Sequence, residues 1–355
     1  MSVEIYDSVT LSRAVNDLGN AQRNARIMRL FKDGATVHLS KELAYGHDVD
    51  DPRILQVRKL HEGSSPVADS VGDEKRLKFP KYRPATEMDE EDASVLDPAA
   101  AAYIGAGTDL NSNLAARLVK QAAKLKRRIE TSHMVNCFNA LEDGSVTFKY
   151  EDGTVGTIEF GYGSAGTAVD SIILTTLGGT DVWDNAASDP LTNLDEMAEN
   201  IRATSEYGGG LDVIMGTTAW KEFRNHASIT SLYDNRRMDA GAVQLRENSE
   251  YKGEIGGFGI YVVANQYKLD TTWTKAWDPK KIAMVPAEDI DWFSTEYGAP
   301  WEIPEGATSP LFLPTKYFSK TLVEGDPVSQ KLIVEARPVP VIKNTRCLRV
   351  RQVLA

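Results

Sequence analysis

Between Asn111 and Leu141 the segment NSNLAARLVKQAAKLKRRIETSHMVNCFNAL contains no Gly and no Pro. Its apolar residues repeat at a helical interval: Leu114, Leu118, Ala122, Leu125 and Ile129, then Met134, Cys137 and Leu141. Asp109, Asn111 and Ser112 can cap its start, and Gly144 stops it. At about 1.5 Å per residue such a rod is about 45 Å long, more than the width of a small domain, so the rest of the chain must be arranged along it. Arg117, Lys120, Lys124, Lys126, Arg127 and Arg128 supply its polar side. One face is therefore expected to pack on a sheet while the other presents a basic stripe, which by default is solvated.

With 355 residues and 42% hydrophobic content, the chain can form two domains, or one with large excursions. The formal net charge of -11 argues against a surface that grips nucleic acid throughout, so any DNA contact must be local. Cys137 and Cys347 stand far apart in the sequence, one in the long helix and one in a terminal strand; a disulfide framework is not expected and a reducing compartment fits. The amino-terminal segment MSVEIYDSVTLSRAVNDLG is charged within its first turns, and no later segment is apolar for long enough to cross a bilayer. Neither export by a signal peptide nor a membrane span is expected.

Residues 1–34 read as a polar arm with a short amphipathic helix around Leu11 to Leu30, ending at Asp33-Gly34 and bringing little hydrophobic mass. Strand-like ATVHLSKELAYG follows, then a passage punctuated by Pro and Gly that ends in the acidic run Glu87 to Asp92. This stretch cannot bury a core alone. Strand-like residues at its two ends, Thr36 to Leu39 and Arg76 to Phe79, predict a long two-stranded hairpin, which is marginal in water unless another subunit covers it. Beyond the rod, VTFKYEDGTVGTIEF predicts a hairpin turning at Asp152-Gly153, and AVDSIILTT a strand. A more α/β region comes next: a helix from Thr192 to about Ser205 with Thr192 and Asp195 as a capping box, a buried strand LDVIMG, a helix capped by Thr217 or Thr218 and running through Phe223, and a strand in GGFGIYVVANQ after a tight turn. KLIVEARPVPVI and CLRVRQVL are expected to return to the sheet beneath the long helix.

Signs of catalysis are weak. Gly161, Gly163 and Gly166 satisfy G-x-G-x-x-G, yet β-branched residues follow where a phosphate loop needs a helix, and Gly253, Gly256, Gly257 and Gly259 fail for the same reason. His38, His47, His61, His133 and His226 include no i,i+4 pair, no Cys-x-x-Cys exists, and His47 with Asp48, Asp50 and Asp51 reads as a solvated turn. There is no Gly-x-Ser-x-Gly elbow and no Walker loop. The residues thus nominate no catalytic group, cofactor site or metal site. Trp183, Trp220, Trp273, Trp277, Trp292 and Trp301 read as core or interface residues.

The order of these parts resembles the lambda-type major capsid protein E family of tailed phages. The residues that carry the resemblance are the Pro-rich step KFPKYRPATEM (Phe79, Pro80, Tyr82, Pro84), the helix KLKRRIETSHMVNCFNALEDGSV with Arg127, Arg128 and Glu130, its end at Ala140, Leu141 and Gly144, and the strand-to-helix phrase DVIMGTTAWKEFRNH. It runs from about Phe31 to the carboxyl end. It implies an α+β tailed-phage major capsid protein fold: an amino-terminal arm over 1–34, an extended loop over 35–95, a peripheral domain over 96–165 with a spine helix over 111–143, an axial domain over 166–325, and terminal strands over 326–355 that return to the peripheral domain. It also implies a virion protein, assembled in the host bacterial cytoplasm, whose copies form pentamers and hexamers of an icosahedral head around double-stranded DNA. The partners implied are further copies of the chain, a scaffolding protein, a portal and a decoration protein, with no membrane. An encapsulin-like nanocompartment shell and, from a different class, a soluble α/β enzyme are the alternatives that the residues leave open. The acidic run Glu87 to Asp92 facing Lys120, Lys124, Arg127 and Arg128 of an adjoining subunit is the sharper contact expected.

Overall fold

The computed structural model describes residues 8–18, 26–40, 42–46, 74–88, 110–149, 154–160, 172–205, 207–233, 250–269, 271–288, 291–302, 311–312, 314–325 and 328–355. The helices are α1 (Ser8–Asp17), α2 (Arg26–Leu30), α3 (Leu110–Asp143), α4 (Pro190–Ser205), α5 (Thr217–Asn225) and α6 (Ala227–Tyr233). Uninterrupted over 34 residues, α3 is the rod that its periodicity predicts, about 50 Å long. It ends at Gly144, whose φ of 62° is the left-handed conformation that closes helices and strains any residue with a Cβ.

The strands form three larger sheets. In the first, β1 (Lys32–His38) pairs in parallel with β13 (Phe293–Gly298), and β18 (Pro338–Ile342) completes the order β1-β13-β18. The second has the order β19-β12-β7-β9-β8, built from β19 (Arg349–Gln352), β12 (Lys281–Pro286), β7 (Leu211–Gly216), β9 (Phe258–Val263) and β8 (Tyr251–Ile255). The third is the ribbon of β16 (Tyr317–Gly325) and β17 (Val328–Ala336), joined by β4 (Ala85–Met88). The described residues also hold two-stranded ribbons: β2 (Glu42–Gly46) with β3 (Glu74–Lys78), β5 (Ser145–Lys149) with β6 (Val155–Glu159), β10 (Gln266–Leu269) with β11 (Thr272–Lys275), and β14 (Trp301–Glu302) with β15 (Leu311–Phe312).

Two halves of α3 meet two different partners. Leu118, Ala122, Leu125 and Ile129 pack on Leu11 and Val15 of α1 and on Tyr317, Leu332 and Val334 of the β16–β17 ribbon. Met134, Cys137, Phe138 and Leu141 pack instead among Phe31, Phe293, Val339 and Val341, beside the first sheet. The five-stranded sheet is a shared wall, because successive side chains of a strand point to opposite faces. Ile214, Ala283 and Val285 face the cluster that contains α3, whereas Val213, Met215, Ile282 and Met284 face a second core with Leu194, Met197, Trp220 and Phe223 from α4 and α5. Strand β7 is accordingly buried at every position, as LDVIMG predicts. The β8–β9 turn places Gly256 at φ 63° and Gly257 at φ 82°, the two positive values that a two-residue hairpin loop requires.

Several sequence expectations are corrected. The amino-terminal arm is not one helix over Leu11 to Leu30: α1 stops at Asp17, Leu18 bends, and α2 is separate. Nor is it poor in core residues, since Leu11, Val15, Ile27, Leu30 and Phe31 are all buried. Thr36 to Leu39 does not supply the first strand of the long hairpin, because Thr36 to His38 belong to β1, whose partner is β13, while β2 pairs with β3. Leu39 lies outside both strands and is 58% exposed. The hairpin's reach, residues 47–73, lies outside the described residues, as do Asp152, Gly153 and Gly161 to Gly166. AVDSIILTT forms no strand among its described residues; Ile173 makes a single parallel bridge to Val350.

Helix starts and the terminal strands differ as well. Asp189 caps α4 in place of Thr192, its carboxylate accepting from the Leu191 N–H at 3.2 Å and the Thr192 hydroxyl at 2.8 Å, with Pro190 as the first helical residue. The residue preceding α5 is Gly216, with Thr217 already helical. Cys347 sits in a 3-10 turn, Thr345–Cys347, and β19 pairs with β12 of the five-stranded sheet, while Cys347, Leu348 and Val350 lie in the cluster that holds the carboxyl half of α3. Both cysteines are free and buried.

The Gly216 position and the buried His133 give two expected outcomes. A Cβ on Gly216 would collide with the backbone of Asp278 and Pro279, which cannot swing aside. Gly216→Ala should therefore lower stability by about 1–3 kcal/mol in chemical denaturation, with far less effect from Gly208→Ala, where a Cβ meets open space. His133 of α3 lies 3.1 Å from the Thr295 hydroxyl of β13, and burial lowers its pKa from 6.5 to about 4. The native ring stays neutral where the unfolded chain takes up a proton, so this contribution is complete above pH 6.5 and is lost as pH falls toward 4. In His133→Gln the decline in unfolding free energy across that window should be shallower by about 3 kcal/mol; an unchanged slope would contradict it.

Candidate functional site

The surface that the fold leaves open is built on α3. Its outward side carries Lys120, Lys124, Arg127 and Arg128, all exposed, with Arg117 half-buried at one end. Lys126 does not belong to this stripe. It is buried, and its ammonium donates to the carbonyls of Val15 at 2.8 Å and Leu18 at 2.6 Å, lies 4.9 Å from the centre of the Tyr317 ring, and approaches Glu130 at 4.0 Å. One lysine thus closes the end of α1, satisfies carbonyls left open there, and ties the arm to the rod. At about 100° per residue, Lys126 points about 120° away from Lys120 and falls on the side of Ala122, Ile129 and His133. That angular offset was the available signal in the sequence; the shared charge of the KLKRR run obscured it.

A second joint holds the next part of the arm. The Arg26 guanidinium donates to Asp212 of β7 at 3.0 Å and to the carbonyls of Pro286 and Ala287 at 3.0 Å each, and it stacks 5.6 Å from the centre of the Tyr261 ring. Its backbone N–H donates to both oxygens of Glu250 at 3.1 Å. Burial pushes the Asp212 and Glu250 carboxyls up from their usual range, with Arg26 and Arg29 opposing the shift. Nothing in the sequence distinguishes Arg26 from its neighbours, because Asp212, Glu250, Pro286 and Ala287 lie at least 186 residues away.

The base of the β2–β3 ribbon is also bolted down. Phe79, just after β3, stacks on His38 at 5.9 Å and fills the space above Gly298. Tyr82 exchanges two backbone hydrogen bonds with Ala336, at 3.0 and 3.1 Å, and its hydroxyl accepts from the Asn136 amide of α3 at 2.6 Å. Glu335 of β17 receives Arg337 at 2.7 Å, with Lys81 at 3.5 Å and Arg83 at 3.7 Å. The Pro-rich step therefore anchors a projecting ribbon directly to the rod.

The other residues singled out in the sequence separate into structural roles. Glu87 meets Lys331 of its own chain at 2.6 Å; the remainder of the acidic run, residues 89–92, lies outside the described residues, as do His47 and His61. His38 pairs with Glu296 at 2.9 Å, and His226 contacts the hydroxyls of Ser188 at 3.2 Å and Ser228 at 2.8 Å. Burial raises the Cys137 and Cys347 thiols far above the range in which thiolates form. Among the described residues no group of three or more His, Cys, Asp or Glu side chains could hold a metal ion. Trp183, Trp220 and Trp277 are core residues and Trp292 is partly buried, whereas Trp273 and Trp301 are 67% and 42% exposed. The arrangement offers anchored ribbons and a charged helix face, which suits contact with other macromolecules.

The profile of the phage major capsid protein E family matches residues 7–351. No curated protein sequence matches the chain. Among solved structures, the fold is similar to that of a prophage protein of Escherichia coli CFT073 assigned to the capsid, with a TM-score of 0.64 at 18% identity, covering 98% of this chain and 99% of that one. It is similar also to a phage-related protein of Bordetella bronchiseptica RB50, with a TM-score of 0.53 at 12% identity over 98% and 97% of the two chains. The mature capsid subunit of bacteriophage PhiM1 gives 0.50 at 12% identity, over 95% and 89%. At these identities the likeness is one of fold.

If Lys126 is the joint between the arm and the rod, Lys126→Ala removes the ammonium that donates to the Val15 and Leu18 carbonyls and lies beside the buried Glu130. Stability should drop by about 3–5 kcal/mol. Limited trypsin digestion should then cut at the exposed Arg13 in the variant before it attacks the body of the protein, whereas Lys124→Ala on the exposed face leaves the digestion pattern unchanged.

Proposed function

The chain belongs to the phage major capsid protein E family, and from that premise we propose how this structural, non-enzymatic capsid protein builds its shell. Copies associate through heterologous contacts into pentamers and hexamers, and these close into the icosahedral head that encloses double-stranded DNA. The extension over residues 35–95 reaches across a neighbouring copy from the β2–β3 stem. The peripheral domain comprises residues 96–165 with the terminal strands, and the axial domain residues 166–325 turn toward the symmetry axes. Assembly takes place in the host cytoplasm with a separate scaffolding protein, and the finished shell carries a portal and accepts a decoration protein.

The observation that best supports this reading is the anchoring of the ribbon base, in which Tyr82 is held by Asn136 and Ala336 and Phe79 by His38. A two-stranded ribbon is marginal when isolated, so a rigid mount on a 34-residue helix makes sense when another copy covers its far end. The family match does not favour a cargo-enzyme compartment or a soluble enzyme.

Purified full-length protein examined by negative-stain electron microscopy should give closed shells tens of nanometres across when the scaffolding protein is co-expressed, and irregular or no shells without it. Tyr82→Phe, which removes the hydroxyl that holds Asn136, should reduce the yield of closed shells while the subunit remains folded. Persistence of a monomer under every condition would contradict the assembly reading.

A further inference from the structure

The exposed face of α3 is segregated by charge in a way its composition does not require. The helix contains three carboxylates, Glu130, Glu142 and Asp143, and all are turned away from the stripe: Glu130 is buried toward Lys126, and the other two pair with Lys281 at 3.0 Å each. Lys120, Lys124, Arg127 and Arg128 are left with no carboxylate in ion-pair range among the described residues, in a chain with 51 acidic and 40 basic side chains. Lys120 and Lys124, Lys124 and Arg127, and Lys124 and Arg128 stand at i,i+4, i,i+3 and i,i+4, spacings at which like charges repel and weaken a helix. The repulsion is relieved when an external polyanion lies along the face.

We infer that this face binds the phosphate backbone of duplex DNA without reading its sequence. The inference deepens the shell reading and rests on it for biological sense, since double-stranded DNA is the polyanion that reading places inside. An acidic protein partner fits less well. Protein interfaces depend on buried apolar anchors, yet among the described residues none of the exposed large hydrophobic side chains, Leu39, Val155, Ile173, Leu269, Trp273 and Trp301, lies on α3. Single strands fit less well for a related reason, because they are held by stacking on exposed aromatic rings. Phosphate binding needs only cations in a row. Lys120 to Arg128 extends about 12 Å along the helix axis, and a duplex strand presents a phosphate about every 3.4 Å of its own axis, so all four side chains have phosphates in reach. The chain as a whole has a net charge of -11, which opposes binding elsewhere and keeps the contact weak, reversible and sensitive to salt.

The test is fluorescence anisotropy of the full-length chain with a duplex of about 30 base pairs and arbitrary sequence, titrated with NaCl between about 50 and 200 mM. The variant Lys120→Gln/Lys124→Gln/Arg127→Gln/Arg128→Gln removes up to four phosphate contacts. The slope of log affinity against log salt should then fall by about 3 to 4, with at least tenfold weaker binding at the lowest salt. Lys124→Gln/Arg128→Gln should lose about half that slope, and keeps the test decisive if the fourfold variant does not fold. Lys221→Gln/Arg224→Gln, on the exposed side of α5, should change nothing. An unchanged slope in both stripe variants would mean a merely solvated face and overturn the proposal, as would tighter binding of a poly-glutamate peptide than of duplex, which would assign the face to an acidic protein. Shell formation by the same variants is scored separately in micrographs, so an unchanged salt slope in variants that still form normal shells refutes this inference alone.

Discussion

The structure depends on covering one rod. A helix of 34 residues has more apolar surface than any neighbouring segment can hide, and helices in proteins draw most of their stability from such tertiary cover. Its cover comes from both ends of the chain: α1 and α2 from the amino-terminal arm, the first sheet from segments near residues 32, 293 and 338, and the β16–β17 ribbon from beyond residue 317. Because these contributors lie hundreds of residues apart, the core around the rod closes only after most of the polypeptide is in place. The second core, between the five-stranded sheet and α4 and α5, draws mainly on residues 183–284, with Val353 and Leu354 from the carboxyl end, and is more nearly self-contained.

At the seams between these contributors the fold uses buried charge. Lys126, Arg26 and Glu335 each join segments that are remote in sequence, and each is surrounded by several hydrogen-bond partners. A buried ion pair adds little net stability compared with well-packed apolar residues, but it is costly to break and strict about geometry. Such joints give the subunit a defined body without extending its greasy surface, which a protein that must stay soluble before it meets its copies cannot expose. The exposed apolar residues are scattered over ribbons and turns, Leu269 and Trp273 on β10–β11 among them, and form no helix face of their own.

What could be read from the sequence was whatever a short window determines. The rod and its stop at Gly144, the fully buried β7, the Gly256-Gly257 turn and the pairing of β5 with β6 all follow from periodicity and turn chemistry within a few residues. The readings that failed needed a distant partner. The strand character of Thr36 to His38 suggests a hairpin, but the neighbour of β1 is β13, more than 250 residues downstream. The cap of α4 turns on a closer contest: Thr192 and Asp195 satisfy the capping pattern, but Asp189 followed by Pro190 makes an earlier start in which the Asp189 carboxylate accepts the Leu191 N–H and the Thr192 hydroxyl. Family resemblance worked where single elements did not, because it rests on the order of parts.

The charge arrangement on α3 shows how one helix serves two environments. Its inner side carries Lys126, Glu130 and His133, all buried, and the burial that keeps His133 neutral ties its protonation to folding. Its outer side carries Lys120, Lys124, Arg127 and Arg128, which have no carboxylate in ion-pair range among the described residues and whose mutual repulsion is relieved by an anion that lies against them. Salt weakens that repulsion and also weakens any external contact, while the buried side is largely shielded from ionic strength. Ionic strength and pH therefore act on opposite faces of the same rod: acid loosens its seating on the sheet beneath, and salt governs what can lie against it from outside.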